Sequence, residues 1–162
     1  MSPQVEVYLH VRLPWLDELA AADFEKALNR LLPALLAQPA GPDHVLSELE
    51  HVEVSIVDDK TISSVHAEFL HDPTSTDVIT FPLGNGLGEV VVSAETAERY
   101  ARKHGIPLRE EVFRYMVHGL VHLHGYLDAT PALRRELFAV QEPLVDGFLP
   151  SPQEVHTDNA RH

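Results

Sequence analysis

The sequence predicts an α/β domain, α+β-like in layout, with a small four-stranded mixed sheet packed with about five helices. Three observations predict it. Short β-branched runs alternate with helix-period stretches in the order βαβαββααα, the pattern of strands and helices that share one sheet. The length, 162 residues, suits one ordinary domain, and 44% of the residues are hydrophobic, enough for one core and too many for a disordered chain. No internal repeat or low-complexity block divides the chain, so a single domain is expected over residues 1–147, with a disordered tail over 148–162.

The elements follow in order. VEVYLHVRL (5–13) is rich in β-formers with loose alternation and reads as the first strand. Pro14, then Asp17-Glu18, opens an amphipathic helix with Leu16, Leu19, Phe24, Leu28 and Leu32 among its apolar positions, fraying near Pro33. AQPAGPDH (37–44) is a loop. HVEVSIV (51–57) alternates Val52, Val54 and Ile56 and is the clearest strand. Asp58 or Asp59 caps a short helix to about Phe69.

LHDPTST is a turn, in which Thr76 and its neighbour Asp77 stabilise the entry to the next strand. DVITFP (77–82) is that strand, and Pro82 must end it or hold it at an edge. GNGLG reads as a flexible connector to a fourth strand, GEVVVS (88–93). Ser93 caps a helix through about Lys103, and a further helix covers roughly 109–124. Thr130-Pro131, a capping residue with proline at the first helical position, starts a last helix to about Val145.

Composition narrows the chemistry. There is no cysteine, so disulfide scaffolds, thiolate metal sites and a cysteine nucleophile are excluded. The first residues lack the pattern of a signal peptide, and no stretch of about 18 apolar residues exists, so a cytoplasmic protein without membrane contact is expected. The net charge of −13 argues against a general nucleic-acid binder. Residues 95–136, however, hold seven of the twelve basic residues against six acidic ones, a net +1 that leaves −14 elsewhere. That segment is either a pair of solvated helix faces or a local electrostatic footprint, and composition does not choose between them.

HGLVHLHGYLD (118–128) carries three histidines within seven residues. A helix advances about 100° per residue, which puts His118 and His122 about 40° apart on one face. His124 falls about 160° round from His122 and points elsewhere, as a surface histidine. Gly125 supplies a helix exit, after which the chain can turn back and bring Asp128 toward the histidine pair. Two imidazoles and one carboxylate suit Zn²⁺ or a similar divalent ion, and three ligands leave a position open, as catalytic metals require. A metal cleft is therefore expected beside this helix. The His-x-x-x-His spacing alone is weak evidence, and Gly119 stands where a zincin protease needs its glutamate base.

These residues resemble a known family. HGLVHLHGYLD is similar to the signature of the YbeY family of rRNA-processing endoribonucleases, His-Gly-x-Leu-His-Leu-x-Gly-Tyr-Asp-His. Upstream, STDVITFP (75–82) and GEVVVS (88–93) resemble two further family segments in the right order. The resemblance implies one α/β domain, one bound zinc-like ion and a metal-dependent endoribonuclease acting on single-stranded RNA in small-subunit rRNA maturation, with the small ribosomal subunit and its proteins as partners. It places the metal ligands on His118, His122 and Asp128, the last where the family has a third histidine, and makes His118 the residue on which catalysis turns. Where the family usually carries an arginine, seven residues before Asp77, this chain has Leu70. His71, Arg99 or Arg102 is then expected to contact substrate instead. Two rivals stay open: a non-catalytic ribosome-assembly factor with a structural metal, and a metallohydrolase of another substrate. Tyr126 either packs over the ligand loop with its hydroxyl bonded, the commoner role of a half-buried tyrosine, or contacts substrate.

Overall fold

The computed structural model describes residues 2–70 and 78–151. Its elements are β1 (Gln4–Leu9), α1 (Glu18–Leu36), β2 (His51–Val57), α2 (Asp59–Leu70), β3 (Val78–Gly84), β4 (Leu87–Ser93), α3 (Ala94–His104), α4 (Leu108–Leu123) and α5 (Pro131–Phe148), with a 3₁₀ turn at Leu46–Glu48. The strands lie in the order β1-β2-β4-β3. β1 and β4 both run parallel to β2, and β3 runs antiparallel to β4. The mixed four-stranded sheet and the five helices are those the sequence predicts.

Alternation along the strands explains the layers. Val52, Val54 and Ile56 of β2 and Val90 and Val92 of β4 are fully buried in one core with Phe24 and Leu28 of α1, Phe113, Met116 and Leu120 of α4, and Leu137 of α5. Each such side chain contributes about 1.5–3 kcal/mol of transfer free energy. The opposite face carries a smaller cluster, Val57 and Val91 against Ile62 of α2. α4 lies directly on the sheet because of Gly119: a Cβ there would come within 2.4 Å of a Val90 methyl carbon.

Several boundaries differ from the sequence reading. β1 stops at Leu9, and Leu13 instead bridges to Leu16 as the chain turns. Asp17 caps α1 by accepting from the Ala20 amide, and the helix runs through Pro33 to Leu36. Leu31, Leu32 and Leu35 are fully buried on both sides of that proline, and their packing outweighs its cost of about 3 kcal/mol. Leu19 is exposed rather than part of the apolar face. GNGLG is not a flexible connector but a tight hairpin: Asn85 and Gly86 take φ of 55° and 76°, the left-handed pair that joins twisted antiparallel strands. Pro82 sits on an edge strand, where its missing N–H is tolerated. α5 extends to Phe148, and Phe148 and Leu149 pack against the core, so the packed body reaches beyond residue 147. Residues 152–162 of the expected tail, and His71, Thr76 and Asp77, lie outside the described residues. No described helix is long and apolar enough to cross a membrane.

The starts of α2 and α3 are knitted together by exchanged caps. Asp58 accepts from the Thr61 amide at 2.7 Å, and Glu95 accepts from the Asp59 amide at 2.8 Å. The Asp59 carboxylate in turn accepts from the hydroxyls of Ser93 (2.6 Å) and Thr96 (2.7 Å) and from Arg99, while Ser93 also caps α3. Burial pushes the Asp59 carboxyl up, but these donors outweigh it and hold the group below its ordinary value. A carboxyl depressed in the folded state stabilises the fold above its unfolded pKa of about 3.9 and loses that contribution as pH falls through the lower folded value. Asp59→Asn is expected to be less stable than wild type at neutral pH, and the difference is expected to shrink below about pH 4 in urea melts run across the acid range.

Candidate metal centre

His118 and His122 stand one turn apart on α4, their rings edge-to-face with centroids 4.5 Å apart. The His118 Nδ1–H donates to Gln141 Oε1 at 2.7 Å, and the His122 Nδ1–H donates to the Tyr126 carbonyl at 2.8 Å. Carbonyl oxygens only accept, so the proton of each neutral ring sits on Nδ1 and the lone pair on Nε2. Both Nε2 atoms turn toward Asp128, lying 3.7 Å (His118) and 3.4 Å (His122) from its Oδ2. These separations exceed good hydrogen-bond lengths and approach the roughly 3.3 Å between two ligands of a tetrahedral ion bound at about 2.0–2.1 Å. One ligand atom from each of the three residues lies within 4.8 Å of the others, and the group could hold a metal ion.

The turn after α4 makes this possible. Gly125 leaves the helix at φ 100° with its backbone pressed on Gly41. A Cβ on Gly125 would sit 2.5 Å from the Gly41 oxygen, and one on Gly41 would sit 2.1 Å from the Gly125 oxygen. The 37–45 loop closes the helix end: the Gly41 amide donates to the His124 carbonyl (3.0 Å) and the Val45 amide to the Leu123 carbonyl (2.9 Å). The Tyr126 hydroxyl donates to the Pro39 carbonyl at 2.7 Å, the bonded packing expected of it. His124 points away from the other two histidines, as helix geometry requires. It is not a surface residue, however: it is 2% exposed, and its Nε2–H donates to the Gln38 carbonyl at 2.9 Å.

A chain of polar contacts runs back from His118 into α5 and along α4. Gln141, 1% exposed, donates its amide Nε2–H to Glu142 at 2.8 Å, which turns its Oε1 toward His118. Glu142 is held by Arg114, whose Nε lies 3.0 Å and Nη2 3.1 Å from its two oxygens. Arg114 also donates to Glu110 (2.8 Å) and to the buried Glu111 (2.7 Å). Burial pushes the Glu142 carboxyl up, but the Arg114 bonds outweigh it and hold it below the usual carboxylate value, so it stays an acceptor. Burial likewise pushes the Arg114 guanidinium down, and the three carboxylates more than offset this. Sequence reasoning missed Gln141, Glu142 and Arg114 as a unit because they lie on two helices. A signal was present: Gln141 falls on the buried stripe Leu137, Gln141, Leu144, Val145, a polar residue at an apolar position of the helix.

Of the residues expected to meet substrate, His71 lies outside the described residues, and Arg99 and Arg102 are each paired with an acid. Arg99 pairs with Asp59, and Arg102 pairs with Glu98 at 3.3 Å, both on the solvent side of α3.

The Gln141 contact carries a measurable consequence. Outer partners that orient a metal-binding imidazole are typically worth 10–100-fold in metal affinity. Gln141→Leu is expected to weaken zinc binding by about that factor in competition with a chromophoric chelator, with the far-ultraviolet circular dichroism unchanged.

Comparisons with known proteins place the chain in a family. The family described as Endoribonuclease YbeY matches residues 16–148. Among curated relatives, the Endoribonuclease YbeY of Thermobifida fusca is 32% identical over 124 residues, covering 68% of this chain and 78% of that protein. Its counterpart in Myxococcus xanthus is 34% identical over 134 residues, 76% of this chain and 43% of that protein. That of Aquifex aeolicus is 45% identical over 86 residues, 48% of this chain and 57% of that protein. A solution structure from Thermotoga maritima, 21% identical, superposes with a TM-score of 0.59 over 97% of this chain and 92% of that one, which speaks to the fold alone. With its helix-borne histidine pair, its returning aspartate and a family match that spans α1 to α5, the chain belongs to the Endoribonuclease YbeY family.

Proposed function

We propose that this chain is a metal-dependent endoribonuclease acting on unpaired RNA, in the cytoplasm, during 3′-end maturation of small-subunit rRNA and ribosome quality control. The small ribosomal subunit and its proteins are the proposed partners. The observation that carries the reading is the arrangement of His118, His122 and Asp128, two imidazole lone pairs and a carboxylate directed at one point in a family whose members are named as endoribonucleases. That donor set suits Zn²⁺, with the carboxylate shifting preference somewhat toward harder ions than three imidazoles would. Bound there, the ion supplies Lewis-acid charge at a phosphodiester and lowers the pKa of a water molecule.

The protein's own part is orientation. Gln141 and the Tyr126 carbonyl hold both imidazoles with Nε2 facing the site, so the ring orientation an ion requires is set in advance. Asp128 is more open than the histidines, at 47% exposure against 17% and 19%, so the site faces outward on the aspartate side. A single strand can enter such a pocket where a paired A-form helix cannot.

The test compares wild type with His118→Ala on an unstructured RNA and on precursor small-subunit rRNA, each protein stripped and reloaded with Zn²⁺ or Mn²⁺. Metal-dependent cutting is expected in wild type, falling to background in the variant while the fold persists. Equal background in both, with metal bound, would make the chain a ribosome-assembly factor that holds an ion without using it on RNA.

A further inference from the structure

The pocket that opens on His118 and Asp128 has a volume of about 280 Å³. A polynucleotide can be held in such a place by its phosphates, through cations, or by its bases, through aromatic rings. The pocket is poorly equipped for the first. Arg114 is the one lysine or arginine among its described lining residues, and its guanidinium is already shared by Glu110, Glu111 and Glu142. Arg99 and Arg102 of the neighbouring helix α3 are likewise paired, with Asp59 and Glu98.

It is well equipped for the second. Tyr100 of α3 and Phe138 of α5 both line this pocket, one ring from each of two helices that pack against α4. Tyr100 is 45% exposed and Phe138 43%, among the most open large hydrophobic residues described. The ring of His104 lies 4.1 Å from that of Tyr100 and supports it from one side. Aromatic rings left this open beside a charged pocket gain by covering their faces, and every nucleobase offers a face.

We propose that Tyr100 and Phe138 form a base-stacking platform at the mouth of the metal pocket, which takes an unpaired strand by its bases rather than by its phosphates. The proposal rests on the endoribonuclease reading and adds the substrate contact to it. Bases in a duplex are already stacked and cannot use the platform, so it selects for unpaired segments. It is also tolerant of sequence, because stacking reads no hydrogen-bond pattern.

The test measures binding and cleavage separately on the full-length, zinc-loaded protein. Binding is followed by fluorescence anisotropy with a short labelled 2′-O-methyl oligo(A) and with an abasic strand of equal length; cleavage is followed on unmodified RNA. Tyr100→Ala and Phe138→Ala are each expected to weaken oligo(A) binding about tenfold, within the range stacking provides, while Tyr100→Phe binds as wild type. The abasic strand is expected to bind wild type no better than oligo(A) binds the doubly substituted Tyr100→Ala, Phe138→Ala protein. The slope of log affinity against log salt is expected to be shallower than about −1.5, the equivalent of roughly two phosphate contacts. If wild type cleaves RNA while the alanine variants keep full affinity, or the abasic strand binds as well as oligo(A), the platform is wrong and the endoribonuclease reading stands. If wild type neither binds nor cleaves RNA, both fall together.

Discussion

The contact on which this structure depends is the backbone-to-backbone approach of Gly125 to Gly41. Each position would drive a Cβ into the carbonyl of the other, and a backbone carbonyl cannot swing aside as a side-chain tip can. The approach lets the 37–45 loop take the last carbonyls of α4 and sends the chain back past His122. Two consequences follow within three residues. The Tyr126 carbonyl fixes the tautomer of His122, and Asp128 arrives opposite both Nε2 atoms. One turn thus supplies an outer partner and a candidate ligand together, and the geometry of the site is set by main chain rather than by mobile side chains.

At the other end of the trio, precision comes from charge. Three carboxylates hold Arg114, Arg114 holds Glu142, Glu142 turns the Gln141 amide, and the amide sets His118. A buried glutamine alone could present either end of its amide to the imidazole; an ionised neighbour that only accepts removes the choice. The same pairing has an electrostatic cost for phosphate recognition. In a chain of net charge −13, the described arginines near the pocket are matched by acids, so attraction for a polyanion cannot rest on a broad basic surface.

Much of this was legible in the sequence because it depends on local rules. Alternation in HVEVSIV, the Ser93 and Thr130 caps and the edge position forced by Pro82 are decided within a few residues, and the structure keeps them. The convergence of His118, His122 and Asp128 was also readable, since helix pitch and one glycine determine it. What stayed hidden depends on contacts distant in the chain. His124 is buried against a loop more than eighty residues earlier, to which it donates, and α1 survives Pro33 because its leucines are covered on both sides. The GNGLG segment is a different case. Its Asn-Gly pair is a strong hairpin signal, but read as composition rather than as a turn it suggested looseness.

Whether the three residues hold one ion through the imidazole Nε2 atoms is tested most directly by a zinc titration followed by long-range proton–nitrogen NMR. Saturation is expected at one equivalent, with the Nε2 signals of His118 and His122 shifting, their Nδ1 atoms protonated throughout and His124 unmoved. Zinc that shifts His124, that engages Nδ1 instead, or that binds without disturbing His118 and His122 would contradict this arrangement.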